Sequence, residues 1–307
     1  MRVVFMGNPD FSVPALQAIQ ESTHEIAGVV CSPDKPRGRG RKLASLPVKA
    51  TAQEFGLRVF QPRSLKDAEF LKEMRSLQPE AFVVVAFRIL PRELFSIPRF
   101  GSLNIHPSLL PRGRGPAPIQ WTLLRGETET GITIIQLTEQ IDGGGILMQE
   151  RAAVNDEDCF GDLHDRFAKR GAELIVDVLD KLERGEVIRP IEQDESLATS
   201  ARKLEPNDYL IDWSKSAEEI HHQIRAFSPT PGAATRLSGV AFKILKSLII
   251  DTKTLKPRQL NGSKETLSVG TGNGDLRLIR VKPAGKKEMD AAAFLRGARD
   301  LPEFFDL

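Results

Sequence analysis

In the stretch NIHPSLLPRGRGPAPIQW, residues 104–121, a carboxamide and an imidazole stand two residues apart at the end of an apolar run. On an extended chain that spacing puts Asn104 and His106 on one face. An amide N–H and a protonated ring N–H side by side can hold the negative oxygen of a tetrahedral intermediate, each donor contributing about 2.7–4 kcal/mol. Asp142, in EQIDGGG, ends the next apolar run. A neighbouring strand would bring its carboxylate to the ring, where it would keep the imidazole charged and relay a proton. Pro107 and Pro111 stiffen the loop after the strand, and Gly113 and Gly115 permit close backbone approach. Fixed main-chain amides and carbonyls of this kind suit a flat heteroaromatic ligand. A buried Asn–His pair that merely caps a strand is the plainer reading; the rigid loop and the acid-bearing turn weigh against it.

No nucleophile accompanies these groups. Ser108 in HPSLL lacks the glycine-flanked elbow of a hydrolase serine. The fitting chemistry is therefore direct attack of a substrate amine on a carbonyl carbon. No metal is expected, since His106 and Asp142 have no third and fourth ligands at recognisable spacing. His221 and His222 are adjacent on an expected helix, so they diverge and read as helix surface. MGNPDF, after the first strand, has a single glycine and fails as a dinucleotide fingerprint.

A second chemical signal is DKPRGRGRKL, with Lys35, Arg37, Arg39, Arg41 and Lys42 against the single acid Asp34. Gly38 and Gly40 argue against helix or strand, so a mobile loop is expected. A solvated charge run is the commoner meaning of such a stretch. This one leaves the same strand-end rim as the proposed site, where it could grip phosphates.

The elements that must position these groups alternate. RVVFMG, EIAGVVCS, LRVFQP, EAFVVVAF and GSLNIH read as strands; Val13–Gln20, LPVKATAQEFG and Ser64–Gln78 read as helices between them. That order implies an open, mostly parallel sheet covered on both faces, with ligand sites outside the carboxyl ends of its strands. ETGITIIQLTEQIDGGG adds another strand, and CFGDLHDRFAKRGAELIVDVLDKLERG a long amphipathic helix. Residues 186–210 are polar and without period, a linker or covering strap. Beyond them a helix over Ser216–Phe227 precedes FKILKSLII, ETLSVGTG and DLRLIRVKP, short strands that suggest a small β-barrel; MDAAAFLRGARDL closes the chain as a short helix.

Bulk properties agree with two domains. The chain has 307 residues, 40% hydrophobic and 27% charged, with a net charge of +2. Such a balance excludes a global polycation and leaves any nucleic-acid contact to local clusters. Residues 207–307 carry 16 Lys and Arg against 12 Asp and Glu, and the preceding residues 27 against 29. The second part holds the basic surplus. Two separated cysteines make no disulfide framework and fit a reducing compartment. No apolar run approaches the ~20 residues of a membrane span, so a cytoplasmic protein with no membrane partner is expected.

NIHPSLLPRGRGPAPIQW together with TGITIIQLTEQIDGG resembles the folate-dependent formyltransferases. GNPDFSVPAL, SPDKPRGRGRKLASLPVKATAQEFGLRVFQP, DWSKSAEEIHHQIRAFSPTPGA and PAGKKEMDAAAFLRGAR extend the resemblance nearly end to end, toward the members that act on tRNA. The resemblance implies an α/β fold: a Rossmann-like catalytic domain with a mostly parallel sheet over residues 1–189, a linker over 190–206, and a tRNA-binding OB-like β-barrel over 207–307. It implies transfer of the formyl group of 10-formyltetrahydrofolate, a cosubstrate, to the α-amine of methionyl initiator tRNA, with no metal. On its motifs Asn104, His106 and Asp142 are the catalytic trio. Ser108, Leu109, Leu110 and Pro111, with Phe87, Arg88, Ile89 and Leu90, line the folate site. Lys35, Arg37, Arg39, Arg41 and Lys42 form the loop that meets tRNA. Gly113 and Gly145 depart from the family's usual residues. A monomer is expected. Sister enzymes acting on a sugar nucleotide, another small amine or water share the trio; a non-catalytic RNA-binding protein would leave it without a purpose.

Overall fold

The structure, a computed structural model, describes residues 1–37, 42–250, 252–263, 265–298 and 300–306; over 35–37 and 42–44 it describes the backbone. The chain divides into two compact units, Met1–Pro118 with Glu129–Ala153 and His164–Arg202, and Ile119–Thr128 with Val154–Leu163 and Lys203–Leu307.

In chain order the first strands are β1 (Arg2–Gly7), β2 (Glu25–Val30), β3 (Lys35–Arg37), β4 (Lys42–Ala44), β5 (Val59–Phe60), β6 (Ala81–Val85), β7 (Ser102–His106), β8 (Glu129–Gln136) and β9 (Ile146–Ala153). Seven of them form one sheet in the order β5-β2-β1-β6-β7-β8-β9. Neighbours from β5 to β7 are parallel; β8 and β9 run antiparallel. The sheet is mostly parallel, as its alternating elements implied. β6 is the unbroken run AFVVV and is buried throughout, because a central parallel strand is covered on both faces.

Helices α1 (Val13–Glu21), α2 (Pro47–Glu54), α3 (Ala68–Ser76) and α4 (Arg92–Phe95) fall between these strands. Asp67 starts α3 by accepting the Phe70 N–H at 2.9 Å. Phe70, Leu71 and Met74 then recur on one side of α3 and pack with Val4, Met6, Phe82 and Val84 of the sheet. After α5 (Pro118–Leu124) comes the 24-residue α6 (Phe160–Glu183). A Cβ on Gly171 of α6 would lie 2.6 Å from Ile105 Cγ2, so the helix backbone rests directly on β7. That contact covers the face of β7 opposite Asn104 and His106.

Two sequence expectations need correcting here. The basic stretch is not without secondary structure: β3 and β4 pair antiparallel, Lys35 opposite Ala44 and Arg37 opposite Lys42. The glycines lie between the paired segments rather than in them. Arg39 and Arg41 lie outside the described residues. β9 carried no clear sequence signal, because as an edge strand it shows mixed burial without the apolar run of β6.

In the second unit β10 (Ala233–Leu237), β11 (Val240–Ile250), β12 (Leu260–Gly262), β13 (Leu267–Gly270), β14 (Asp275–Pro283) and β15 (Met289–Asp290) form an antiparallel sheet, β10-β11-β14-β13-β12, with β15 on β14. This is the small β domain the short strands implied. α7 (Ala217–Phe227) opens with a capping box between Ser216 and Glu219, and α8 (Ala291–Gly297) follows β15. Trp213 stacks on Phe305 at 5.1 Å and donates to Thr235 Oγ1 at 3.1 Å. His221 and His222 are not open helix surface. His221 Nδ1 meets Ser247 Oγ at 2.9 Å. Burial, helped by Arg225 and His222, pushes its pKa down to about 4 against weaker opposition from Glu157 and Asp156.

Candidate active site

Asn104 and His106 close β7, where Asn104 sits between Val84 of β6 and Ile135 of β8. They share a sheet face because successive strand residues alternate. Among the described residues the Asn104 side-chain amide has no hydrogen-bond partner, and the residue is half-buried. His106 is 5% exposed. Its Nε2–H donates to the Gly113 carbonyl at 2.9 Å, which leaves Nδ1 as the nitrogen that faces a partner.

Asp142 arrives by an unexpected route. β8 is antiparallel to β7, so its last residue, Gln136, lies opposite Leu103 rather than beside His106. The two strands' carboxyl ends are therefore not neighbours. The loop after Gln136 returns over the sheet and sets Asp142 Oδ1 3.7 Å from His106 Nδ1. That separation exceeds a hydrogen bond but is short for two opposite charges in a recess. Oδ2 accepts the Gly115 N–H at 2.8 Å, and Asp142 holds φ at 51°. Two glycines make the turn possible: a Cβ on Gly144 would fall 1.7 Å from the Gln136 carbonyl oxygen, and one on Gly145 2.5 Å from Pro190 Cβ.

The SLLP loop is tied down from below. Thr133 Oγ1 donates to the Ser108 carbonyl at 2.6 Å, Ser108 Oγ to the Arg112 carbonyl at 2.7 Å, and Gln149 Nε2 to the Leu110 carbonyl at 2.9 Å. Ser108 and Leu110 are each 3% exposed, and Leu110 packs on Ile135 and Ile146. Leu109 and Pro111 are half-buried. In the segment after β6, Leu90 joins the apolar core and Phe87 packs against it, whereas Ile89 stands in solvent. Arg88 donates to the Pro62 and Arg63 carbonyls, its Nε has no partner among the described residues, and burial lowers its pKa. Cys31 offers no nucleophile, since burial pushes its thiol up to about 11. A separate open cavity of about 420 Å³ in the first unit is lined by Gln61, Arg63, Asp67, Glu73 and others, and holds none of the trio.

Sequence reasoning missed the groups that fasten the two loops. Gln193, Arg114 and Thr199 do so: Gln193 Nε2 donates to the Asp142 and Gly144 carbonyls, both at 2.7 Å. Thr199 Oγ1 accepts the Gly113 N–H at 2.9 Å. The local hint was that residues 186–210, polar and without period, could be a covering strap.

A mostly parallel α/β unit with an amide, an imidazole and a carboxylate at one strand end, followed in sequence by a small antiparallel β unit, has clear relatives. Residues 1–179 match the formyl transferase family, and residues 203–299 match the formyl transferase C-terminal domain. The chain is 45% identical over 305 residues to a methionyl-tRNA formyltransferase of Moorella thermoacetica, covering 98% of both chains. It belongs to the methionyl-tRNA formyltransferase family. Among solved structures its fold is similar to WlaRD, a sugar 3N-formyl transferase crystallised with dTDP and 5-N-formyl-THF, at TM-score 0.67 and 19% identity over 94% of this chain and 99% of that one. It is also similar to HypX from Aquifex aeolicus in complex with tetrahydrofolic acid, at TM-score 0.66 and 19% identity; there the match covers 96% of this chain and 47% of that longer one. Among the described residues no helix is long and apolar enough to cross a membrane.

Proposed function

We propose that this chain transfers the formyl group of 10-formyltetrahydrofolate to the α-amine of methionyl initiator tRNA, in the cytoplasm. The amine nitrogen adds to the formyl carbon, and the carbonyl π pair becomes an oxyanion. Asn104 Nδ2–H and the Nδ1–H of protonated His106 stabilise that oxyanion. Asp142 supports the ring's charge and takes the amine's proton, by itself or through water. The oxyanion's electron pair then re-forms the carbonyl as the bond from carbon to the folate N10 breaks. The proton taken from the amine passes to N10, from Asp142 or through water, so that N10 leaves as a neutral secondary amine. Backbone groups of Ser108–Pro111 and of Phe87–Leu90 hold the pterin. Lys35, Arg37, Arg39, Arg41, Lys42 and the second unit bind tRNA phosphates.

The observation that carries this reading is the committed ring. With Nε2 bound to the Gly113 carbonyl, Nδ1 is left 3.7 Å from a carboxylate. A strand-capping histidine would have both nitrogens used. An acyl-transfer site needs one free to take charge.

The test offers labelled formylfolate with methionyl-tRNA, with an amino sugar nucleotide, or with water alone. Label should enter methionyl-tRNA. His106→Ala and Asp142→Asn should abolish transfer while tRNA binding stays nearly intact. Label in the sugar, or release as formate without an acceptor, would replace this reading by one of the sister activities.

A further inference from the structure

Residues 191–201 run as a strap over the loops that carry the site. The strap is attached by backbone bonds between Ile146 and Ile191, between Arg114 and Thr199, and between Ala201 and Arg114, the last at 2.6 Å. Glycines set how closely it lies: a Cβ on Gly115 would be 2.5 Å from the Ala201 carbonyl oxygen, as one on Gly145 would strike Pro190.

We infer that Gln193 is a positioning residue for formyl transfer, setting the Asp142 carboxylate against His106 through the Asp142 and Gly144 carbonyls. This rests on the site reading above. The geometry is bidirectional. Gln193 Nε2 donates to both carbonyls at 2.7 Å, and Oε1 accepts from Arg114 Nε at 3.0 Å and Nη2 at 2.8 Å. The same guanidinium pairs with Glu195, Nη1 to Oε2 at 2.8 Å and Nη2 to Oε1 at 2.7 Å. One amide thus joins the loop that holds Asp142 to the loop whose Gly113 carbonyl fixes the ring of His106. Each hydrogen-bonding position of Gln193 Oε1 and Nε2 in this network has a partner, and no substrate contact is needed to account for it.

The left-handed backbone of Asp142 explains why a brace is required there. A non-glycine residue at φ 51° is uncommon and persists where surrounding contacts over-determine it. The Gly115 N–H holds only the carboxylate end. Gln193 holds the main chain on either side of Gly143. Without it the carboxylate could swing while the rest of the sheet stays intact.

The test compares Gln193→Glu and Gln193→Met in the full chain. Glutamate keeps an acceptor for Arg114 but has no N–H for the two carbonyls; methionine keeps the length and neither polar group. Both should lower kcat about 10–100-fold, the loss expected when a reacting group is displaced by about 1 Å. KM for formylfolate and for methionyl-tRNA should stay within about twofold, because neither substrate contact is removed. The Gln193→Glu protein should stay folded at the assay temperature, because its carboxylate keeps the pairing with Arg114. Unchanged kcat, a loss expressed in KM, or a kcat loss matched by the fraction of Gln193→Glu protein unfolded at the assay temperature overturns the inference. His106→Ala, assayed alongside, separates the two readings. If it is inactive while Gln193→Glu is fully active, only the strap's role has failed. If it is active too, the site is misassigned and this inference falls with it.

Discussion

Asn104 has a property that separates it from most strand-end amides: the residue is half-buried, yet among the described residues its side-chain amide has no hydrogen-bond partner. Removing it should therefore cost little in folding, since no buried partner is orphaned. Asn104→Ala should lower kcat about 10²–10³-fold, the loss of one oxyanion donor. Its melting temperature should stay near that of the parent. Steady-state kinetics beside thermal melting checks both halves, and an activity loss matched by unfolding would count against the donor role. Gly113 is informative at the same scale. It sits at φ 74°, and a Cβ there would press on Ser108 Cβ at 3.1 Å. That left-handed backbone, open to glycine, turns the Gly113 carbonyl onto the His106 ring. The shared face of Asn104 and His106 was legible in sequence because an i, i+2 spacing on a strand fixes it without knowledge of anything distant. Gln193 was not legible. The carbonyls it binds lie about fifty positions earlier in the chain, and a backbone carbonyl carries no residue-type signal.

Elements differ in how far their sequence spoke for them. β6 and α3 were readable because an unbroken apolar run and a capped amphipathic turn each determine their own burial. β8 was found, but its direction was not, since an antiparallel strand added beside a parallel sheet is decided by connection length and the loop's fold. That one reversal changed the route by which Asp142 reaches His106. α7 shows the opposite limit: two adjacent histidines predict divergence, and only the approach of β11 makes His221 half-buried. Its consequence is a pH dependence in the second unit. His221 is held neutral when folded, with its pKa near 4, and returns to about 6.5 when unfolded. The unfolded chain then binds more protons between those values, so stability falls as pH drops from about 6.5 toward about 4. His221→Gln keeps a partner for Ser247 Oγ and cannot titrate. Melting temperature plotted against pH should be flatter for this variant across that window, with a residual slope from His222, whose pKa burial also lowers. Parallel curves for the two proteins would assign the acid sensitivity elsewhere.

Across the whole molecule a net charge of +2 is too small to attract a polyanion from a distance. Any grip on tRNA must come from local clusters, and the described cations differ in availability. Lys246 pairs with Glu157, and Arg280 with Glu288. Lys243, whose Nζ donates to the Pro231 carbonyl at 2.6 Å, stands in register with Lys282 across β11 and β14, and like charges so placed are relieved by an anion. In sequence, the five cations of residues 35–42 follow a single acid, Asp34, and that acid is occupied: it pairs with Lys49 and accepts from Gln61. Binding through such groups releases counterions, so log K should fall linearly with log salt, by about 0.7–0.9 for each phosphate neutralised. KM for methionyl-tRNA should therefore rise steeply with salt, and KM for formylfolate much less. Arg39→Ala should weaken tRNA use and flatten the slope by about one contact while leaving folate saturation in place. Fluorescence titration of tRNA at several salt concentrations measures that slope directly. An Arg39→Ala line parallel to the parent's would mean that Arg39 touches no phosphate, and the grip would then have to come from the other cations of residues 35–42 and those of the second unit.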